Sequence, residues 1–364
     1  GGNIKGIIKK LDYIKSLGAN IIQLSPVFKS SSCHKYDAGN YEIIDEMFGT
    51  NDEFKKLCKA AENKGIKVIL EAVFSYTSSD SKYFNKLGNY DEIGAYNSPN
   101  SKYHSWYKFI KYPYQYESWW GISERPNVNV MEESYINYII KSKNSILKKW
   151  IDLGVSGWRL NVIDELPDEF IELIRKRVQE IDEETILLGD IWDDASNKVS
   201  YSKRRRYLQG NEVQAVTNYP LRESLINFTK GYITSHRLKQ KIMSLYENYP
   251  RESFYGNINI AWTNDTERIL TVLDENIELL RLLVVIQFTL PGVPLIYYGD
   301  EIGLKGGREP DNRRSYPWGK ENKDLIEFYR EIANIRNSEN GLKKGDVSIY
   351  ETDSDVFAFE RNYE

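Results

Sequence analysis

Residues 52–74 read DEFKKLCKAAENKGIKVILEAVF. Up to Lys64 the apolar side chains Phe54, Leu57, Cys58 and Ala61 fall three and four apart, the spacing of one helix face. Gly65 follows, and glycine just past a helix is the usual left-handed cap. Ile66–Phe74 is then almost continuously apolar, as a strand buried on both faces should be. The same order recurs at Gly18 and Gly154. Working outward, strands are expected at Ala19–Phe28, Ile66–Phe74, Val155–Val162, Thr185–Trp192, Glu212–Asn218, Ile258–Thr263 and Val293–Tyr298. Helices are expected at Ile4–Leu17, Asp52–Lys64, Tyr135–Leu153, Asp168–Ile181, Leu221–Tyr232, His236–Tyr249, Asn276–Phe288 and Lys323–Asn337. Asn51 and Asp168 stand where N-caps belong.

Alternation of strand and helix over about 300 residues predicts an α/β protein with a parallel sheet. Seven strands with their helices fit a (β/α)8 TIM barrel lacking one strand. A doubly wound sheet fits less well, because no Gly-rich first turn is present. The pattern opens on a helix, so the missing strand would be the first. Two segments break the alternation. In residues 77–132, 13 of 56 residues are aromatic against 13% for the whole chain, which predicts an inserted lobe. Residues 341–364 read as the start of a C-terminal β-domain, with a hairpin around Thr352–Asp355. The expected barrel is therefore 1–76 plus 133–340.

Composition narrows the function. Hydrophobic residues are 41% and charged residues 28% of the 364, which excludes global disorder. The net charge of −4 comes without a basic stripe, which excludes nucleic acid as the main partner. The longest apolar run, Leu279–Leu290, is interrupted by Arg281 and Gln287, so no membrane span is expected. Cys33 and Cys58 form no disulfide framework, and three histidines are few for a metal site. No metal and no cofactor is expected. The expected compartment is the cytoplasm, and a homo-oligomer is left open.

In such a barrel the chemistry lies at the C-terminal strand ends. These ends carry Glu71, Ser75 and Tyr76; Arg159 and Asn161; Asp190; Asn218; Asn264 and Asp265; Asp300 and Glu301. His34, Lys35, Tyr36 and Asp37 lie on the loop after the first strand present. Several carboxylates around one arginine suit acid, base or nucleophilic work. Flat aromatic faces suit the apolar faces of pyranose rings. Trp119 and Trp120 are placed at the pocket mouth. Asp300–Glu301 reads as a strand-end hydrogen-bonding pair, and Lys203–Arg206 as a solvated helix face.

These motifs resemble those of the α-amylase superfamily, glycoside hydrolase family 13, and most of all its cyclomaltodextrinase, neopullulanase and maltogenic amylase group. The resemblance rests on Gly1–Ile7, His34–Asp37, Gly157–Leu160, Asn218–Pro220, Tyr298–Gly303 and Asp311–Arg314 followed by Trp318. It implies a retaining mechanism on α-glucosidic bonds and an aromatic lobe after the third barrel strand. It also exposes departures. The family's nucleophilic aspartate is here Asn161, and its glutamic acid/base is Asp190 in Gly189-Asp190-Ile191-Trp192. Its Asp-x-x-x-Asn-His is Glu71-Ala72-Val73-Phe74-Ser75-Tyr76. Its His-Asp is Asn264-Asp265, with a bulky Trp262 before it. Asp265, Arg159, Tyr36 and Asp37 are unchanged.

The candidate catalytic residues are thus Asp190, Asp265, Asn161 and Glu71. The candidate substrate-binding residues are Tyr36, Asp37, His34, Arg159, Tyr76, Asn264, Trp262, Trp192 and Trp120. An asparagine cannot form a glycosyl ester, and losing a nucleophile costs several powers of ten in rate. Three readings follow: an α-glycosidase of weak activity, an inactive binder of α-glucans or cyclodextrins, or a pocket rebuilt, by engineering or descent, for a new ligand or a carboxylate-base reaction.

Overall fold

The computed structural model describes residues 2–363. Seven short parallel strands run in chain order. β1 (Ile21–Leu24), β2 (Lys67–Ala72), β3 (Gly157–Leu160), β4 (Ile186–Gly189) and β5 (Ala215–Val216) form one sheet. Thr217 bridges in parallel to Ile258, the first residue of β6 (Ile258–Ile260), and β6 pairs in parallel with β7 (Val293–Leu295). Helices on the outside connect the strands, giving the fold class of a (β/α)8 barrel. Among the described residues β7 and β1 are not paired with each other.

Helix-to-strand corners use the expected glycines: Gly18, Gly65 and Gly154 all have positive φ. Gly154 is also closely packed, since a Cβ there would lie 2.6 Å from that of Cys58. Several expectations shift. The helix Asn51–Glu62 is capped by Thr50, not Asn51; Thr50 and Glu53 form a reciprocal capping box. Asn51 instead bonds backbone groups of Ile44 and Glu42. Asp168 opens its helix after Pro167, and its carboxylate meets Arg205 at 2.5 Å. The stretch 135–153 is not one helix, because Ser145 caps a new one, Ile146–Asp152. Lys203–Arg206 is not a helix face either: Lys203–Arg204 pairs with Val199–Ser200, and Arg205 is buried.

In the expected lobe, residues 77–132, Tyr83, Phe84, Tyr103, Trp106 and Tyr107 are all buried, and they pack in one continuous core with residues outside it such as Tyr41 and Tyr135. At the other end of the chain Asp346–Ile349 and Phe359–Asn362 make an antiparallel hairpin. Among the described residues no helix is long and apolar enough to cross a membrane.

Candidate active site

Strand register builds the site. Glu71 on β2 pairs with Arg159 on β3, and Arg159 with Leu188 on β4, so these residues share one layer of the barrel. Beyond the last paired residues, Asn161 N–H donates to Ala72 O and Asp190 N–H to Leu160 O, both at 2.9 Å. The ladder therefore holds Glu71, Arg159, Asn161 and Asp190 side by side.

Their side chains bond to one another. The Arg159 guanidinium gives one arm to Glu71 and the other to Asp190, at 2.6 Å for the latter. Asn161 Nδ2 donates to Glu71 Oε1 at 3.1 Å, and Gln23 Nε2 donates to its other oxygen at 3.3 Å. Glu71 and Asp190 are only 2% and 1% exposed. Burial pushes the Glu71 carboxyl up to about 7; Arg159 opposes this and Asp190 adds to it. The turn after Asn161 is strained, because Val162 sits in the left-handed region at φ 43°.

A second hydrogen-bonded group centres on Asn264 and Asp265. Asn264 Nδ2 donates to Tyr36 O–H at 2.6 Å and to Asp265 at 3.1 Å. Arg313 pairs with the solvent-exposed Asp265 at 3.3 Å. Asp265 also lines a cavity of about 530 Å³ with Arg222, Thr266, Glu267, Arg308 and Glu309. Asp37 is buried and accepts from Ser30 and Ser32. His34 receives Tyr36 N–H at Nδ1 and meets Arg125 at Nε2, both at 3.1 Å. Burial lowers the His34 pKa; Asp37 opposes this and Arg125 adds to it.

Two aromatic pairs combine a buried tyrosine with a tryptophan. Tyr76 lies 5.1 Å from Trp119, and exposed Trp192 stacks on Tyr219 at 4.6 Å. Trp262 is a correction: it has no exposed surface and donates to Thr266 O, with Arg268 packed over its ring. Its bulk fills the protein beneath the site rather than the pocket. Asp300 and Glu301 are buried, bonded to Arg268 and to Tyr13 respectively. Sequence reasoning passed over Gln23 and Glu165. Gln23 was readable as a polar residue inside an apolar strand; Glu165 gave no signal, since only the fold brings it to Trp119 and Trp120. Among the described residues no cluster of three His, Cys, Asp or Glu side chains could hold a metal ion.

The barrel, the lobe after β2 and the strand-end acids define a catalytic domain of the alpha-amylase class. The profile described as "Alpha amylase, catalytic domain" matches residues 1–339, and the chain belongs to that family. It is similar to the amylopullulanase of Thermoanaerobacterium saccharolyticum, at 37% identity over 99% of this chain and 31% of the relative. It is also similar to a cyclomaltodextrinase of Thermoanaerobacter pseudethanolicus, at 33% identity over 100% of this chain and 62% of the relative. The chain spans only 21% to 31% of the length of the amylopullulanases it matches. Among solved structures, the cyclic alpha-maltosyl-(1-->6)-maltose hydrolase of Arthrobacter globiformis in complex with maltose superimposes with a TM-score of 0.91 at 28% identity. That match covers 100% of this chain and 80% of the other.

Proposed function

We propose that this domain binds α-glucan oligosaccharides at its strand-end pocket without performing the retaining hydrolysis of its family. One observation carries the reading: Glu71, Arg159, Asp190 and Asn161 form a connected, buried network. Retaining catalysis needs two carboxyls about 5–5.5 Å apart, one of them forming a covalent ester with the sugar. Asn161 cannot form it, and its amide is spent on Glu71. Asp190 is one methylene shorter than the family's acid and is held by Arg159 beneath the surface. A misplacement of about 1 Å costs roughly 10²-fold. The open groups, Tyr36, His34, Asn264, Asp265 and Trp192, are hydrogen-bonding and stacking groups suited to a sugar.

The relatives' names support an α-glucan ligand, pullulan-like or cyclodextrin-like. Calorimetry with maltotriose is expected to show binding at millimolar ligand, while maltose release at high enzyme concentration stays at background. The triple variant Glu71→Asp, Asn161→Asp, Asp190→Glu is expected to cleave. Hydrolysis by the unaltered chain would sink the reading, and a β-anomeric product would point to slow inverting hydrolysis between Asp190 and Asp265.

A second reading is favoured by Glu71 at about 7. That value suits a general base working near neutrality, as in a pocket rebuilt for proton abstraction. A new activity abolished by Glu71→Gln would select it.

A further inference from the structure

His34, on the loop after β1, and Arg125, between β2 and β3, meet across 91 residues of chain, with 3.1 Å between His34 Nε2 and Arg125 Nη2. The loop pins His34. Its neighbour Lys35 is buried, with Nζ 2.8 Å from Asp45 and 2.7 Å from Ser30 O. Tyr36 N–H donates to His34 Nδ1 at 3.1 Å. The Arg125 guanidinium is held 5.0 Å from the ring of Trp119 and 5.9 Å from that of Tyr76. Both side chains keep some exposure, 20% for that of His34. The His34 ring lies 6.1 Å from the ring of Tyr36, whose hydroxyl accepts from Asn264.

The hydrogens of this pair do not balance. Burial lowers the His34 pKa; Asp37 opposes this and Arg125 adds to it. The ring is therefore neutral at neutral pH and carries one N–H. A backbone N–H can only donate, so Nδ1 accepts from Tyr36 and Nε2 bears the proton. Arginine has donors and no acceptor. The His34 Nε2–H thus faces an Arg125 N–H with no acceptor between them. Among the described residues the guanidinium pairs with no carboxylate and has no other hydrogen-bond partner. The acids nearby are engaged elsewhere. Asp37 accepts from Ser30 and Ser32, Asp265 and Glu309 pair with Arg313, and Glu165 accepts from the indoles of Trp119 and Trp120.

Two convergent N–H donors, one of them on a permanent cation, are a donor set for an oxyanion. An oxygen placed between Nε2 and Nη2 accepts from both, and the clash becomes a pair of hydrogen bonds, one of them charge-assisted. We propose that His34 and Arg125 form an oxyanion-binding site, so that the ligand this domain prefers is an α-glucan bearing a carboxylate or phosphate group rather than a neutral one. The sugar part of that ligand rests on the proposed α-glucan binding; the anion does not.

The test is calorimetry of the full chain at low salt with maltobionate and glucose 6-phosphate, against maltose and glucose as their neutral counterparts. Each charged probe that fits should bind about tenfold more tightly than its counterpart, and added salt should erode the gain. Arg125→Gln should bring the ratio of charged to neutral affinity close to one, and Arg125→Lys should keep part of it. A gain with maltobionate alone identifies a sugar acid, and a gain with glucose 6-phosphate alone a phosphorylated sugar. The chain has only three histidines, so nitrogen spectra of the imidazoles, assigned with His34→Gln, read the pair in the unaltered protein. His34 should carry its proton on Nε2, and inorganic phosphate should shift that resonance while His104 and His236 stay in place. A proton on Nδ1 would give Arg125 its acceptor and overturn the site. A ratio of one in the unaltered chain, or a gain that survives Arg125→Gln, overturns it as well. If neutral glucans bind and the charged probes gain nothing, the proposed function stands without the anion site. If only the charged probes bind, and do so through Arg125, the anion site stands and the proposed function falls.

Discussion

At Arg159 one guanidinium serves two buried carboxylates, and its removal exposes the cost of burying them. Arg159→Met leaves Glu71 and Asp190 unpaired, and breaking a buried pair costs about 3–5 kcal/mol. A urea melt should show a much lower midpoint, or no folded baseline. The variant Glu71→Gln, Arg159→Met, Asp190→Asn removes the charges together and should regain most of the loss. Asn161 gives the complementary prediction. Its amide now donates to Glu71, and Asn161→Asp would set a carboxylate against a carboxylate in the same layer. That single change should lower Tm and leave maltotriose uncleaved; cleavage by the single variant would show that Glu71 and Asp190 already stand where catalysis needs them. The sequence made these positions readable because the barrel rule puts chemistry at strand ends. It misled at Trp262, where residue size was read without direction, and the ring points into the protein instead.

Caps and turns decide the elements, and here the order of strands and helices was legible while their ends were not: the strand expected at Ala19–Phe28 runs only over Ile21–Leu24, and that at Glu212–Asn218 only over Ala215–Val216. The capping box of Thr50 and Glu53 belongs to the pattern Thr-x-x-Glu, yet Asn51 drew the eye as a preferred cap type. Thr50→Ala should cost about 1 kcal/mol of stability, since the Glu53 N–H loses its Thr50 Oγ1 acceptor while the backbone N–H of residue 50 keeps the Glu53 carboxylate; an unchanged denaturation midpoint would mean that the hydroxyl cap contributes nothing. The basic run Lys203–Arg206 shows a different limit. Charge pattern alone suggested a solvated face, but Arg205 is drawn inward by Asp168 and by the carbonyls of Asp164 and Leu166. Such long-range pairing has no local period to read. The same holds for Glu165, which reaches the lobe across 45 residues of chain.

Across the whole molecule the buried acids set the pH response. Burial raises Glu71 to about 7 and Glu212 to about 8. It also raises Asp300 to about 7, against the pull of Arg268. Each native carboxyl therefore holds its proton to higher pH than the unfolded chain does, and stability falls as pH rises through that interval. Two other acids act in the opposite sense. Burial opposes the change, but Lys82 draws Glu42 below its usual range, and Lys35 with the backbone N–H groups of Ser30 and Met47 does the same for Asp45. Their contribution is complete above the ordinary carboxylate range and is lost on acidification. The two sets together place maximum stability on the acid side of neutrality, with Tm higher near about pH 5.5 than near about pH 8.5. Glu212 is the member to test, because both its oxygens are buried without a hydrogen-bond partner. Glu212→Gln keeps the shape and removes the ionisation, so its melts should match the parent at the acid end and exceed it at the alkaline end. The expected gain there is on the order of 2 °C. A variant that tracks the parent across the whole range would show that Glu212 ionises in the native state as freely as in the unfolded chain.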